Sequence, residues 1–214
     1  MPAEQQVIDH IVVTAKDLDT GVAYVRERLG FAPQGGGEHP KMGTHNRLLR
    51  CGPSCYLEVI AINPQAPAPS RPRWFGLDTM NPKAEASLAA WVVRTTDIHH
   101  VATASAQSLG TVTPMQRGEL DWLITIPETG LSPLDGLAPA LIEWHTATLP
   151  VISMPDQGLS LEALHIYHSQ SEQMLALIES LNLRAPLTVM PCPPGTAPFL
   201  KAIIRTPDGL RELT

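Results

Sequence analysis

The chain has 214 residues, 43% of them hydrophobic and 17% charged, with a formal net charge of −6. That length can bury a sizeable core, and the acidic balance with scattered basic residues argues against nucleic-acid binding. No apolar run is long enough to span a membrane and no secretory-signal pattern opens the chain, so a cytoplasmic protein without membrane contact is expected.

Val7 to Phe31 reads as a strand, a turn and an amphipathic helix. Regular alternation would place Ile8, His10 and Val12 on one strand face and Asp9, Ile11 and Val13 on the other. Asp17 can cap the helix, Leu18, Val22, Val25 and Leu29 form its apolar stripe, and Gly30 ends it. The glycine-rich Ala32 to Gly43 is an irregular strand or a loop over a site. Strands follow at Thr44 to Cys51 and Cys55 to Ile62, with Gly52-Pro53-Ser54 as the turn. Of the three cysteines, Cys51 and Cys55 read as small buried thiols, since no metal-binding pair or disulfide framework is present. Asn63 to Lys83 is proline-rich and lacks a period, so it reads as a linking loop lying over the surface.

The same plan then recurs. Leu88 to Thr95 is a strand, Asp97 a cap, and Ile98, Val101, Ala102, Ser105 and Leu109 a helical stripe ended by Gly110. One 80-residue offset relates Asp17 to Asp97 and Gly30 to Gly110. Strands are expected at Thr111 to Met115, Asp121 to Ile126 and Ala140 to His145. A third copy is read from a strand at Leu161 to His168, a helix at Ser171 to Leu181, and strands at Thr188 to Met190, Phe199 to Arg205 and Leu210 to Leu213. The chain thus divides into a first module over 1–62, a connecting loop over 63–86, a second module over 87–147 and a third over 148–214. Glu58, Glu143 and Glu212 take equivalent places in the three copies.

The stretch DHIVVTAKDLDTGVAYVRERLGF followed by YLEVI resembles the vicinal oxygen chelate superfamily, which groups glyoxalases, bleomycin-resistance proteins and extradiol dioxygenases. EHPKMGTHNRLLR followed by YLEVIAI is similar to its glyoxalase-like domain branch. The resemblance implies an α+β fold of tandem βαβββ modules forming a cup-shaped, partly open barrel, here with a third related module. It also implies a metal held by His10 and Glu58, a divalent Zn, Ni, Fe or Mn, with Glu143 or Glu212 as a further ligand or base and His165 as a further candidate. Ala90 stands where a second histidine would be. The implied function is a metal-dependent lyase or isomerase acting on a small molecule with adjacent oxygens. The alternative is a non-catalytic protein that sequesters a small molecule, as bleomycin-resistance relatives do.

The residues add their own argument. His10 is polar in a strand of Ile and Val, and Glu58 lies between Leu57 and Val59. A buried carboxylate needs a partner, so both side chains are expected on the concave face of one sheet. His39, Asn46, Arg47 and Trp144 are candidate substrate contacts, although Asn46 and Arg47 point to opposite faces if their strand is regular. An odd number of half-cup modules would leave one unpaired, which points to a homodimer.

Overall fold

The computed structural model describes residues 5–214; the first four residues, included in the range of the first module, lie outside the described residues. The first module runs through β1 (Val7–Thr14), α1 (Leu18–Leu29), β2 (Glu38–His39), β3 (Thr44–Arg50) and β4 (Tyr56–Ile62). The second runs through β5 (Ser87–Arg94), α2 (Ile98–Ala104), β6 (Thr111–Arg117), β7 (Leu120–Ile126) and β8 (Ala140–Trp144). All eight strands join one sheet in the order β2-β3-β4-β1-β5-β8-β7-β6. Within each module the first strand lies parallel to the last, and β1 and β5 meet antiparallel at the centre. The two edges approach each other, where Lys41 Nζ donates to the Pro114 carbonyl at 3.1 Å, so the sheet curls into a nearly closed cup.

Local chemistry sets the helix ends. Asp17 accepts from the Thr20 N–H at 2.7 Å, and Gly30 closes α1 with φ at 84°. Asp97 accepts from the His100 N–H at 3.1 Å, but α2 stops at Ala104 rather than at the expected Gly110. The reason is tertiary. Ser105 leaves the helix, and the Ala106 N–H donates to Ser180 Oγ, 2.9 Å away on the third unit.

That third unit comprises β9 (Ser160–Tyr167), α3 (Ser171–Ser180), β10 (Leu187–Met190), β11 (Phe199–Thr206) and β12 (Gly209–Leu213). It forms a separate four-stranded sheet in the order β10-β9-β11-β12. The element sequence repeats that of the other modules, but the pairing does not: β9 lies parallel to its second strand, β10, and β12 sits at an edge. Instead of a third half-cup it makes a cover. It docks on the convex side of the large sheet through β11 against β5 and β12 against α1. The carbonyl of Thr214 accepts from the Leu88 N–H at 3.0 Å and from the Tyr24 hydroxyl. Modules one and two close on each other, and the third unit packs against them as a separate sheet.

Two cores result. The outer one lies between the convex face, the helices and the second sheet, and includes Ile11, Leu57, Val59, Trp91, Leu164 and Ile166. Burial of the thiols there holds Cys51 up at about 12 and pushes Cys55 well above the usual range. The inner core fills the cup with Val12, Ile60, Val92, Ile124, Ile142 and the indoles of Trp74 and Trp122. Strands buried on both faces explain the near-continuous apolar runs of β1 and β4.

The proline-rich segment is more than a surface loop. It carries a 3-10 turn, Trp74–Thr79, that buries Trp74 and Leu77 in the cup core. Phe75 and Gly76 both have positive φ, 57° and 66°, and the Gly76 N–H donates to the Gly130 carbonyl at 3.0 Å. The strap thus closes over the inner core. Among the described residues no helix is long and apolar enough to cross a membrane.

Candidate functional site inside the cup

His10 and Glu58 come from adjacent parallel strands, with His10 opposite Tyr56 and Val12 opposite Glu58. Both are buried and line one cavity, with His10 Nε2 3.7 Å from Glu58 Oε2. Each has its other heteroatom held. Asn46 Nδ2 donates to Glu58 Oε1 at 2.6 Å, and His10 Nδ1 lies 2.7 Å from Asp9 Oδ1. The second Asp9 oxygen accepts from Trp144 Nε1 at 3.1 Å and Arg94 Nη1 at 3.2 Å. With Asp9 purely an acceptor, the proton of the His10 ring belongs on Nδ1, and Nε2 is left for the cavity.

Asp9 reaches this network through a break in the strand. The register between β1 and β5 shifts between Ile8 and His10, so Ile8 packs in the outer core with Ile11 while His10 faces the cup. Regular alternation, which put Ile8 on the His10 face and Asp9 behind it, fails at this bulge.

His39 is buried beside them. Its Nδ1 lies 3.1 Å from Thr44 Oγ1, and its Nε2 lies 3.3 Å from Arg117 Nη1. Burial first, and then the Arg117 charge, lowers its pKa to about 3. His39 is therefore a neutral acceptor for the guanidinium. Arg117 Nη1 also donates to Asn46 Oδ1 at 3.1 Å, and the Gly37 N–H to the same oxygen at 2.8 Å. Gly36 is required here: a Cβ on it would fall 2.1 Å from the Asn46 carbonyl oxygen.

Aromatic rings make the rest of the wall. Tyr56 stacks on His10 at 4.5 Å between centroids, and Trp74 meets His39 edge-on at 5.1 Å. Burial, then the Asp9 and Glu58 carboxylates, keeps the Tyr56 hydroxyl protonated by raising its pKa well above the ordinary value. Trp122, Trp144, Ile124 and Ile142 complete the lining, and the space left is about 30 Å³, room for one water molecule. Outside lies an open groove of about 860 Å³ along residues 145–157, and Leu48 and Arg117 line both spaces.

The structure therefore brings together His10, Glu58, His39, Asn46 and Trp144. Arg47 is exposed on the outer side of β3, donating to the Asn46 carbonyl. Glu143 is turned away from the cup: its Oε2 accepts from the Ile98 N–H at 2.7 Å, where α2 begins, and its Oε1 lies 2.9 Å from His145. Its neighbour Ile142 takes the inward place. Glu212 lies on the second sheet, exposed and paired with Lys201 at 3.0 Å, and His165 is on β9 of that sheet. Asp9, Tyr56, Trp74, Trp122 and Arg117 are site residues that the sequence reading missed. Only the adjacent polar pair Asp9-His10 in an apolar strand offered a signal.

A chelated metal does not fit this set. The cup-facing positions of β5 and β8 are Ala90, Val92, Ala140, Ile142 and Trp144, which offer no metal-ligand atom. His39 Nε2 is taken by a guanidinium. Among the described residues no third His, Cys, Asp or Glu joins His10 and Glu58 in a group that could hold an ion.

A family model described as glyoxalase-like domain matches residues 8–182. No curated protein matches the chain. A crystal structure of a hypothetical protein from Staphylococcus aureus is similar at 14% identity and TM-score 0.61, covering 88% of each chain. Two methylmalonyl-CoA epimerases also align. That from Mycobacterium tuberculosis is 14% identical with TM-score 0.46 over 69% of this chain and 94% of its own. One in complex with methylmalonyl-CoA is 18% identical with TM-score 0.45 over 68% of this chain and 98% of its own.

Proposed function

The chain belongs to the glyoxalase-like domain family of the vicinal oxygen chelate superfamily, and from that premise we propose that it is a lyase- or isomerase-type enzyme that moves a proton on a small carbonyl compound inside the cup. The observation that carries this reading is the placement of His10 Nε2 and Glu58 Oε2, 3.7 Å apart. Each is oriented from behind, by Asp9 and by Asn46. Two groups that can trade a proton, buried and aimed at the same point, are what enolisation next to a carbonyl needs. Glu58 removes the proton from the carbon beside the carbonyl. The C–H electron pair moves to the carbonyl oxygen as the enolate forms, the unprotonated His10 Nε2 beside Glu58 can take the proton from the Glu58 carboxyl, and its return to the carbon closes the cycle. The aromatic wall excludes water, which strengthens both interactions. Because the donor set does not suit a chelated ion, no step is assigned to a metal.

The space of about 30 Å³ is too small for such a substrate, so the strap carrying Trp74 and Phe75 has to lift on entry. That same closed aromatic cage favours a second reading, a protein that sequesters its ligand without changing it.

Solvent-deuterium exchange at the carbon next to the carbonyl, followed by NMR over a panel of small 2-oxo compounds, separates the two. The wild type should exchange at least one panel member. Glu58→Gln, which keeps an acceptor for Asn46, should slow that exchange by roughly 10²–10⁴-fold. Binding without exchange in the wild type, or equal rates in the two proteins, refutes the proton-transfer reading.

A further inference from the structure

Arg117 ends β6 and reaches across the cup mouth to the opposite module. It can do so because residue 37 is glycine: a Cβ there would lie 3.1 Å from Arg117 Cδ and 3.4 Å from its Nε. Among the described residues only Nη1 finds partners, Asn46 Oδ1 and His39 Nε2. Both of those partners are neutral. Among the described residues no carboxylate lies within salt-bridge distance of the guanidinium, and Nε and Nη2 have no hydrogen-bond partner. A half-buried cation fixed by two neutral groups lacks a counter-charge, and its open edge is the fork that matches a carboxylate.

A second observation points the same way. Trp74 lines the cup, and its Nε1 is buried without a hydrogen-bond partner among the described residues. An unpaired buried donor is costly to keep unless something accepts from it. The structure thus leaves an open cation edge at the cup mouth and an unpaired indole N–H on one of the residues that line the cup. Arg117 also stands where the cup, of about 30 Å³, meets the groove of about 860 Å³.

We propose that Arg117 binds the carboxylate of an oxo-acid substrate, with the Trp74 N–H as a further donor to its oxygens, and that the part of the substrate too large for the cup lies in the outer groove. This rests on the proton-transfer reading for the identity of the carbonyl compound, and it makes Arg117 the cation beside the developing negative charge.

The test uses the fluorescence of the cup tryptophans in the whole protein. Pyruvate, 2-oxobutyrate and 2-oxoglutarate are titrated against their methyl esters. At least one acid should bind about tenfold more tightly than its neutral ester. Arg117→Gln should remove that preference, and Arg117→Lys, which keeps charge without the fork, should retain part of it. Equal affinities of every acid and its ester for the wild type, including no binding of either, overturn the proposal, and that comparison needs no variant to fold. Persistence of the preference in a folded Arg117→Gln protein overturns it equally. If the acid preference holds while Glu58→Gln exchanges deuterium like the wild type, the anion site stands and the proton-transfer reading fails.

Discussion

β1 and β4 of the first module present His10 and Glu58 to the cup, with His39 and Asn46 alongside from the same module. β5 and β8 of the second module run in the same topology, yet they present Ala90, Val92, Ala140, Ile142 and the indole of Trp144. The duplicated framework therefore works asymmetrically. One wall holds the groups that exchange protons, and the other supplies a dry surface plus one long arm, Arg117, reaching over to the polar side. Each wall sharpens the other. A low-dielectric wall makes the charges opposite it act more strongly, and the polar wall is affordable because its members satisfy one another.

The comparison breaks most visibly if the apolar wall is given a charge. Val92→Glu buries an acidic group in that wall away from the cavity that Arg117 and Trp74 line, and it should cost roughly 2–7 kcal/mol, read from the shift in the urea unfolding midpoint. A loss below about 1 kcal/mol, within the range of ordinary substitutions, would mean that the second wall tolerates charge as well as the first.

A titration probes the polar wall. His39 has a pKa of about 3 in the folded protein, against about 6.5 when unfolded. Above about pH 6.5 neither state is protonated, and the stability this histidine allows is fully present. As pH falls from there towards 3, the unfolded chain takes up a proton that the folded one refuses, so stability drops at up to about 1.4 kcal/mol per pH unit. Below 3 both states are charged and this loss ends. His39→Gln should flatten the dependence by one proton when unfolding is measured from pH 7 to pH 4.5. An unchanged slope would place the histidine outside the buried network.

The smallest effects belong to the two glutamates that stand outside the cup. Glu143→Ala removes an acceptor at the start of α2 and should cost about 1 kcal/mol while leaving deuterium exchange at the wild-type rate. Glu212→Ala breaks an exposed pair with Lys201 and should move stability by about 0–1 kcal/mol. Loss of exchange in either variant would return a carboxylate of the other copies to the chemistry.

Local signals made most of the fold legible. Asp17 and Gly30 bracket α1, and the apolar runs of β1, β4, β5 and β8 lie within a residue or so of their observed ends. His10 and Glu58 were found because each is polar in an apolar strand. What periodicity cannot show is where alternation breaks. The bulge at Asp9 moved Ile8 to the convex face and let a second carboxylate reach the His10 network. A similar one-residue difference separates Glu143, which serves α2, from Ile142, which faces the cup. Trp74 lay hidden in a segment whose prolines and missing period read as a surface loop. Arg117 had no local mark at all, since its role depends on a glycine 80 residues earlier, Gly37. The third unit repeated the order of elements, but hydrogen-bond partners between strands are long-range choices that element order does not determine.

The bond between Tyr24 and Thr214, 190 positions apart, carries a consequence for how the molecule is made. During synthesis the eight cup strands emerge long before β12, and until the second sheet arrives the outer core lacks the apolar face that Leu164, Ile166, Leu200 and Ile204 supply. Non-local pairing of this kind slows the final step, because distant segments must meet before their contact is rewarded. Refolding from urea should therefore populate a compact intermediate that binds hydrophobic dyes, and it should clear only when the C-terminal sheet docks.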